Sequence, residues 1–220
     1  MTQYGMAIDL NRCFGCHTCA VACKVANNLP VDVTYNLVYT KSDDDYSNPG
    51  AAVPKGAFCY DNAGGTFPDS ILNFFPLACQ HCSNPICEEV CPTGATSKDP
   101  ETGIVCIDYE TCIGCGTCMT ACPYDVRTLL SENVEYYIDM ECGEYDAPPH
   151  TPNTVEKCTF CKNLIDRGGK PACMDLCPGR ARYWGDLEDP ESEVNKAMEG
   201  REILKFKEDQ GTEPNVFYLL

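Results

Sequence analysis

Basic residues are scarce in this sequence: 16 lysines and arginines stand against 33 aspartates and glutamates, a net charge of −17. Such a surface would repel a phosphate backbone rather than neutralise it, so no nucleic acid is expected among its partners. Long apolar runs are missing as well. The stretches 71–78 and 217–220 are polar-interrupted or far below the roughly 20 residues a spanning helix requires, so no membrane span is expected. The opening MTQYGMAIDLNRC has no basic n-region, no apolar run of h-region length and no small-residue cleavage site, and no secretory signal is expected either. Histidine occurs only as His17, His81 and His150, two of them inside cysteine-rich loops. A histidine-based triad is thus not expected, and each histidine reads as a local hydrogen-bond partner. Gly114-x-Gly116 lacks the third glycine of a dinucleotide fingerprint. Even ordinary core residues are thin: 44% of 220 positions are hydrophobic, but 19 of these are cysteine, leaving about 35% for an apolar core. Something other than aliphatic and aromatic side chains must fill the interior.

Cysteine is what the chain has in excess, and sixteen of the nineteen fall into four groups of four. The first group is Cys13-x2-Cys16-x2-Cys19-x3-Cys23 and the third is Cys112-x2-Cys115-x2-Cys118-x3-Cys122-Pro123, the spacing of bacterial-type ferredoxin clusters. The second, Cys79-x2-Cys82-x4-Cys87-x3-Cys91-Pro92, widens one gap, and the fourth, Cys158-x2-Cys161-x11-Cys173-x3-Cys177-Pro178, widens it further. Thiolates at two-residue gaps let a tight loop wrap one face of an iron–sulfur cubane. Gly15, Gly114 and Gly116 stand between them, where a missing Cβ permits positive φ and close backbone approach. The fourth cysteine of each run leaves the loop on a helix and so reaches the neighbouring cluster, as in two-cluster ferredoxins. Cys19 and Cys23 are about 6 Å apart along such a helix, which puts paired clusters on the order of 10 Å apart.

Other uses of cysteine fit less well. A disulfide framework belongs to oxidising compartments and pairs an even number of thiols. Cys13-Phe14-Gly15-Cys16-His17 matches the c-type haem attachment pattern, but haem would leave Cys19 and Cys23 without a role. Structural zinc sites use C-x2-C knuckles yet seldom a third cysteine three positions on.

The chain repeats itself. Ile8-Asp9-x3-Cys13-x-Gly15-Cys16-x-Thr18-Cys19 returns as Ile107-Asp108-x3-Cys112-x-Gly114-Cys115-x-Thr117-Cys118, and Cys91-Pro92-x-Gly94-Ala95 is answered by Cys177-Pro178-Gly179-x-Ala181. Between Cys91 and Cys112 the sequence predicts a hairpin, Ala95 to Lys98 and Ile104 to Asp108 about a turn at 99–103. Groups two and three therefore form one compact lobe, residues 76–130. Groups one and four form the other, residues 1–28 plus 158–220, with the first lobe inserted into it. The expected fold is α+β: two pseudo-symmetric bacterial-type 2[4Fe-4S] ferredoxin lobes, one nested in the other. Residues 29–75 and 131–157 show little periodicity and read as long surface connections that contact a partner. A short helix is predicted from Asp189-Pro190 to Met198 with an extended tail after it. Six basic residues, Lys157, Lys162, Arg167, Lys170, Arg180 and Arg182, form a positive island around the fourth group, suited to offsetting cluster charge, docking a partner or raising a cluster's potential. Cys106 reads as a packed thiol within a strand; Cys59 and Cys142 fall in the connections without an assigned role.

The four motifs, with the opening YGMAIDLNRCFGC, the stretch CIGCGTCMTACPYDVR and the tail GTEPNVFYLL, resemble the iron–sulfur subunits of DMSO reductase-family molybdenum enzymes over nearly the whole chain. That family includes the electron-transfer subunits of DMSO, polysulfide, thiosulfate and nitrate reductases, formate dehydrogenase and pyrogallol transhydroxylase. The resemblance implies four [4Fe-4S] clusters. Cys13, Cys16, Cys19 and Cys177 would ligate one, and Cys23, Cys158, Cys161 and Cys173 its neighbour. In the inner lobe, Cys79, Cys82, Cys87 and Cys122 would hold the third and Cys91, Cys112, Cys115 and Cys118 the fourth. It implies no catalytic residue in this chain. It also implies a large catalytic partner holding a bis-molybdopterin guanine dinucleotide, a membrane subunit that oxidises quinol or another redox partner, and export with the catalytic subunit to the outer face of the membrane. A free-standing cytoplasmic polyferredoxin is the alternative.

Overall fold

A computed structural model describes residues 2–41, 46, 64–140 and 142–220. The N-terminal strand β1 (Tyr4–Asp9) is buried on both faces after its first residue, which is why it reads Gly-Met-Ala-Ile rather than alternating with polar residues. It is an inner strand of a four-stranded sheet. β10 (Arg182–Asp186) runs antiparallel to it with Ile8 opposite Arg182. β12 (Val216–Leu219) runs parallel to it, Met6 opposite Val216, and β11 (Ile203–Leu204) closes the edge. One face of the sheet carries Met6, Ile8, Trp184, Val216 and Tyr218 into the main core. The other carries Ala7 and Leu219 under α6 (Glu193–Met198).

β1 and β10 each abut a cysteine group, so their pairing brings the first group beside the fourth across about 170 residues of sequence. Helix α1 (Thr18–Ala26), which carries Cys19 and Cys23, packs against α5 (Ala172–Asp175), which carries Cys173. The second and third groups meet in the same way: α2 (Ile86–Glu89) packs on α3 (Thr117–Ala121), and β6 (Thr96–Lys98) pairs antiparallel with β7 (Val105–Ile107). This is the hairpin predicted from the sequence. One core serves both pairs, since Met6 and Trp184 share a cluster with Ile104 and Tyr124. Phe75 packs within it, stacked 4.2 Å from Tyr218 and meeting Phe206 edge-on at 5.3 Å.

Three local expectations change. The described parts of 29–75 and 131–157 are more than surface connections. β2 (Asn36–Lys41) pairs with β5 (Asn73–Ala78), β8 (Thr128–Leu129) pairs with β9 (Val155–Glu156), and Leu29, Val33, Tyr35 and Leu130 form a second buried cluster on Cys23. A short hairpin, β3 (Gly64–Thr66) and β4 (Asp69–Ile71), precedes β5. Helix α6 starts at Glu193, not at Pro190, because Ser192 caps it by accepting the Asn195 N–H at 3.3 Å. The tail is only partly extended: a 3₁₀ turn over Glu208–Gln210 precedes a stretch that laces the second group, with Asn215 donating to the carbonyl of His81 at 2.8 Å. The remaining helix is α4 (Lys162–Asp166). Among the described residues, no helix is long and apolar enough to cross a membrane.

Candidate functional site: four sets of converging thiols

In all four groups the residue before the second cysteine turns into the left-handed region: Gly15 at φ +68, His81 at +43, Gly114 at +64 and Phe160 at +56. The turn aims the flanking cysteines to one side. Glycine takes this conformation without penalty, and two of these positions also leave no room, because a Cβ on Gly15 would overlap the Phe74 ring and one on Gly114 the Asn153 carbonyl. His81 and Phe160 take it at a cost of about 1–2 kcal/mol each. They meet each other, both buried, with rings 3.8 Å apart and 15° from parallel, which offsets part of that cost. The Val105 N–H donates to His81 Nδ1 at 3.2 Å. Burial, with the nearby Lys157 ammonium, holds His81 well below the ordinary imidazole range.

The thiols gather in sets that cross the sequence groups. Cys13, Cys16, Cys19 and Cys177 line one cavity. Cys79, Cys82, Cys87 and Cys122 line another, and Cys91, Cys112, Cys115 and Cys118 a third. Burial, then the neighbouring Cys158, Cys161 and Cys173, push the Cys23 thiol well up. Asn27 Nδ2 lies 3.6 Å from Cys23 Sγ and 4.0 Å from Cys161 Sγ. Each set thus takes three cysteines from one group and the last from its partner group. The sets also form a row: Cys173 feels Cys19 of the first set, Cys158 feels Cys79 of the third, and α3 carries Cys118 just ahead of Cys122.

Only Cys16 and Cys115, in the two end sets, are exposed among the described cysteines. Inside the row burial dominates: Cys82 is pushed up to about 12 by burial and by Cys79, and Cys173 to about 11 by burial, against the pull of Arg182. At the end of the row, burial is outweighed at Cys91 by the N–H groups of Thr96, Thr93 and Ala95 and the Thr93 hydroxyl, which bring it down to about 7. The N–H groups of Phe160 and Ala181 donate to Cys158 and Cys177, each at 3.4 Å. Threonine hydroxyls lie 3.4 Å from Cys16 (Thr18) and Cys115 (Thr117). The backbone N–H donors stabilise negative sulfur.

The donor chemistry fits a ferredoxin-type cluster. Each set is all thiol, soft and free of carboxylate, as iron–sulfur ligation requires. Among the described residues, no three His, Cys, Asp or Glu side chains close on a single point where one ion would sit; the thiols of the first, third and fourth sets stand around a cavity instead.

Of the other cysteines, Cys106 packs half-buried on β7 with its thiol directed at the Ile104 carbonyl, and Cys142 is half-buried, with its backbone N–H donating to Asn28 Oδ1. Cys59 lies outside the described residues. The positive island is largely paired. Lys162 bonds Asp166 and Asp99, Arg167 bonds Glu144 and Lys170 bonds Glu193, while Lys157 and Arg182 are buried. Two residues that sequence reasoning missed stand beside the thiols: Asn27, and Arg127, which lines the cavity of Cys79, Cys82, Cys87 and Cys122. A signal for Arg127 existed, since Cys122-Pro123-x3-Arg127 repeats as Cys177-Pro178-x3-Arg182.

A family model for a 4Fe-4S dicluster domain matches residues 70–142 and 140–187, and one for a 4Fe-4S binding domain matches residues 10–26. A selenate reductase subunit of Mesobacillus selenatarsenatis is 39% identical over 99% of this chain and 72% of its own length. A sulfite dehydrogenase subunit of Allochromatium vinosum is 36% identical over 100% of this chain and 83% of its own. The iron-sulfur subunit of the arsenate respiratory reductase of a Shewanella species is 34% identical over 99% and 96% respectively. The converging thiols, the matched domains and this end-to-end similarity agree: the chain belongs to the iron–sulfur electron-transfer subunits of the molybdopterin oxidoreductases.

Proposed function

We propose that the chain carries electrons along a row of four [4Fe-4S] clusters, one held by each thiol set, between a catalytic subunit containing bis-molybdopterin guanine dinucleotide and a quinol-linked membrane subunit or another redox partner. When bound, each cluster supplies a one-electron redox centre. The protein's part is to hold, space and shield these centres. Cys13, Cys16, Cys19 and Cys177 serve the first; Cys23, Cys158, Cys161 and Cys173 the second; Cys79, Cys82, Cys87 and Cys122 the third; and Cys91, Cys112, Cys115 and Cys118 the fourth.

The architecture that follows is two nested ferredoxin lobes, 1–28 with 158–220 outside and 76–130 inside, fused through one core. The observation that carries this reading is the crossed recruitment of Cys177 into the cavity of the N-terminal group and of Cys122 into that of the second group. Exposure supports a direction-neutral relay with a port at each end. Cys16 lies beside the exposed Phe14, and Cys115 beside the exposed Ile113. The two middle sets have no exposed thiol. Working on the outer face of the membrane, after export with the catalytic subunit, completes the reading.

Isolation of the native complex without oxygen tests it. Sixteen iron atoms per chain with matching acid-labile sulfide, and a much larger subunit that co-purifies, are expected. Zinc in place of iron, or a solitary 24.2 kDa species, would contradict it.

A further inference from the structure

Among the described residues three cations are buried, each beside two thiol sets. Arg182 is 5% exposed, lines the cavity of the first set, and places Nη1 3.7 Å from Cys173 Sγ of the second. It also interacts with Cys19 of the first set, while Nη1 lies 3.4 Å from Met6 Sδ and Nη2 donates to Asn36 Oδ1 at 3.2 Å. Arg127, also 5% exposed, lines the cavity of the third set. Its Nη1 donates to the Thr96 hydroxyl, which lines the cavity of the fourth, and Nη2 has no partner among the described residues. Lys157, 1% exposed, donates to the carbonyls of Cys158, in the second set, and Val105, and its charge is felt at Cys87 of the third.

Among the described residues none of the three meets a carboxylate within 4.0 Å, although acids outnumber bases two to one. An isolated charge so buried is costly unless something of opposite sign lies beside it. Among the described residues, the groups able to carry negative charge that these cations act on include thiols of the sets: Cys173 and Cys19 for Arg182, Cys87 and Cys79 for Arg127, and Cys87 for Lys157. The two arginines also hold equivalent places in the internal repeat, five residues beyond Cys122 and Cys177.

Resting on the four-cluster reading above, we propose that each junction of the row contains one fixed positive charge: Arg182 between the first and second sets, Lys157 between the second and third, Arg127 between the third and fourth. Each cation is a positioning residue that stabilises the reduced, more negative form of its two neighbours and so raises both of their reduction potentials. Because the charges are buried, this effect is screened little by salt.

The test is EPR-monitored redox titration of the intact complex carrying Arg182→Gln, Lys157→Met or Arg127→Gln, with signals assigned through single Cys→Ser variants. Each neutral variant is expected to lower the potentials of its own two clusters by at least about 59 mV, a tenfold change in the oxidised-to-reduced ratio of a one-electron couple. The overlap makes the pattern specific: the second cluster responds to Arg182 and Lys157, the third to Lys157 and Arg127. Arg182→Lys and Arg127→Lys, which keep the charge, are expected to stay within about threefold of wild type. Fully loaded neutral variants with unmoved potentials, or a uniform shift of all four clusters, overturn the inference. Where a neutral arginine variant loses iron, the lysine variant decides: loaded and unshifted supports fixed charge, while shifted tenfold or unloaded overturns it. If Lys157→Met loses iron, Lys157→Arg decides by the same criteria. Wild-type complex lacking sixteen iron atoms would instead sink the four-cluster reading itself.

Discussion

Replacing His150 by phenylalanine should weaken the protein strongly near neutral pH and far less in alkali. The ring lies between two acceptors, Glu156 Oε1 at 2.8 Å from Nδ1 and the Asn27 carbonyl at 2.8 Å from Nε2. Both contacts are hydrogen bonds only when both nitrogens carry protons. Burial opposes that charge, but the Glu156 carboxylate and then the Asn27 carbonyl outweigh it and raise the imidazole above 6.5. The side chains are 4% and 0% exposed, and the Tyr35 hydroxyl donates to the other carboxylate oxygen at 3.0 Å. Removing one partner of a buried ion pair costs about 3–5 kcal/mol, and for a chain of this size each kcal/mol lowers Tm by roughly 2–4 °C, hence about 6–20 °C. A group whose pKa is raised on folding contributes fully below its unfolded value near 6.5 and loses that contribution as pH climbs through the raised value. Anaerobic thermal unfolding of wild type and His150→Phe, followed by cluster absorbance, should therefore show a large gap at about pH 6 that narrows by about pH 9. A gap below about 1 kcal/mol, or one that does not change with pH, would refute the protonated bridge.

Two other substitutions probe how the sites are built. Gly114→Ala combines a left-handed φ of +64 with an overlap on the Asn153 carbonyl; a cost of about 2–5 kcal/mol is expected. Iron analysis should show loss confined to the set of Cys91, Cys112, Cys115 and Cys118, and full occupancy would count against the close approach. Phe75→Ala removes a fully buried side chain of the shared core, stacked on Tyr218 and edge-on to Phe206. It should destabilise by about 3–5 kcal/mol and loosen all four sites in one unfolding transition, whereas two separated transitions would show that the two pairs do not share a core.

Much of the site was legible because its chemistry lies in local spacing. The C-x2-C-x2-C runs and the C-x3-C-P tails marked the thiols, and the hairpin at 95–108 showed which two groups pair. Other elements depend on distant partners. β2 is a strand because β5 lies beside it, and nothing in the polar stretches around 29–75 signals that Tyr35 and Val38 will be buried. The positive island divides between surface and interior for the same reason. Its members are adjacent in sequence, but Arg167 pairs with Glu144, Lys170 pairs with Glu193 and Arg182 turns inward to the thiols. Charge counted along a chain says little about charge in space. The left-handed turns at His81 and Phe160 were hidden because neither residue favours that conformation; their mutual stack supports it.

Crossed ligation in the outer lobe is the central claim, and EPR of four single variants tests it most directly: Cys13→Ser, Cys177→Ser, Cys23→Ser and Cys158→Ser. Removing one thiolate converts or loses the cluster it serves. Cys177→Ser should disturb the same signal as Cys13→Ser, and Cys23→Ser the same signal as Cys158→Ser. If Cys177 instead groups with Cys158, and Cys23 with Cys13, each motif holds its own cluster and the interleaved arrangement is wrong.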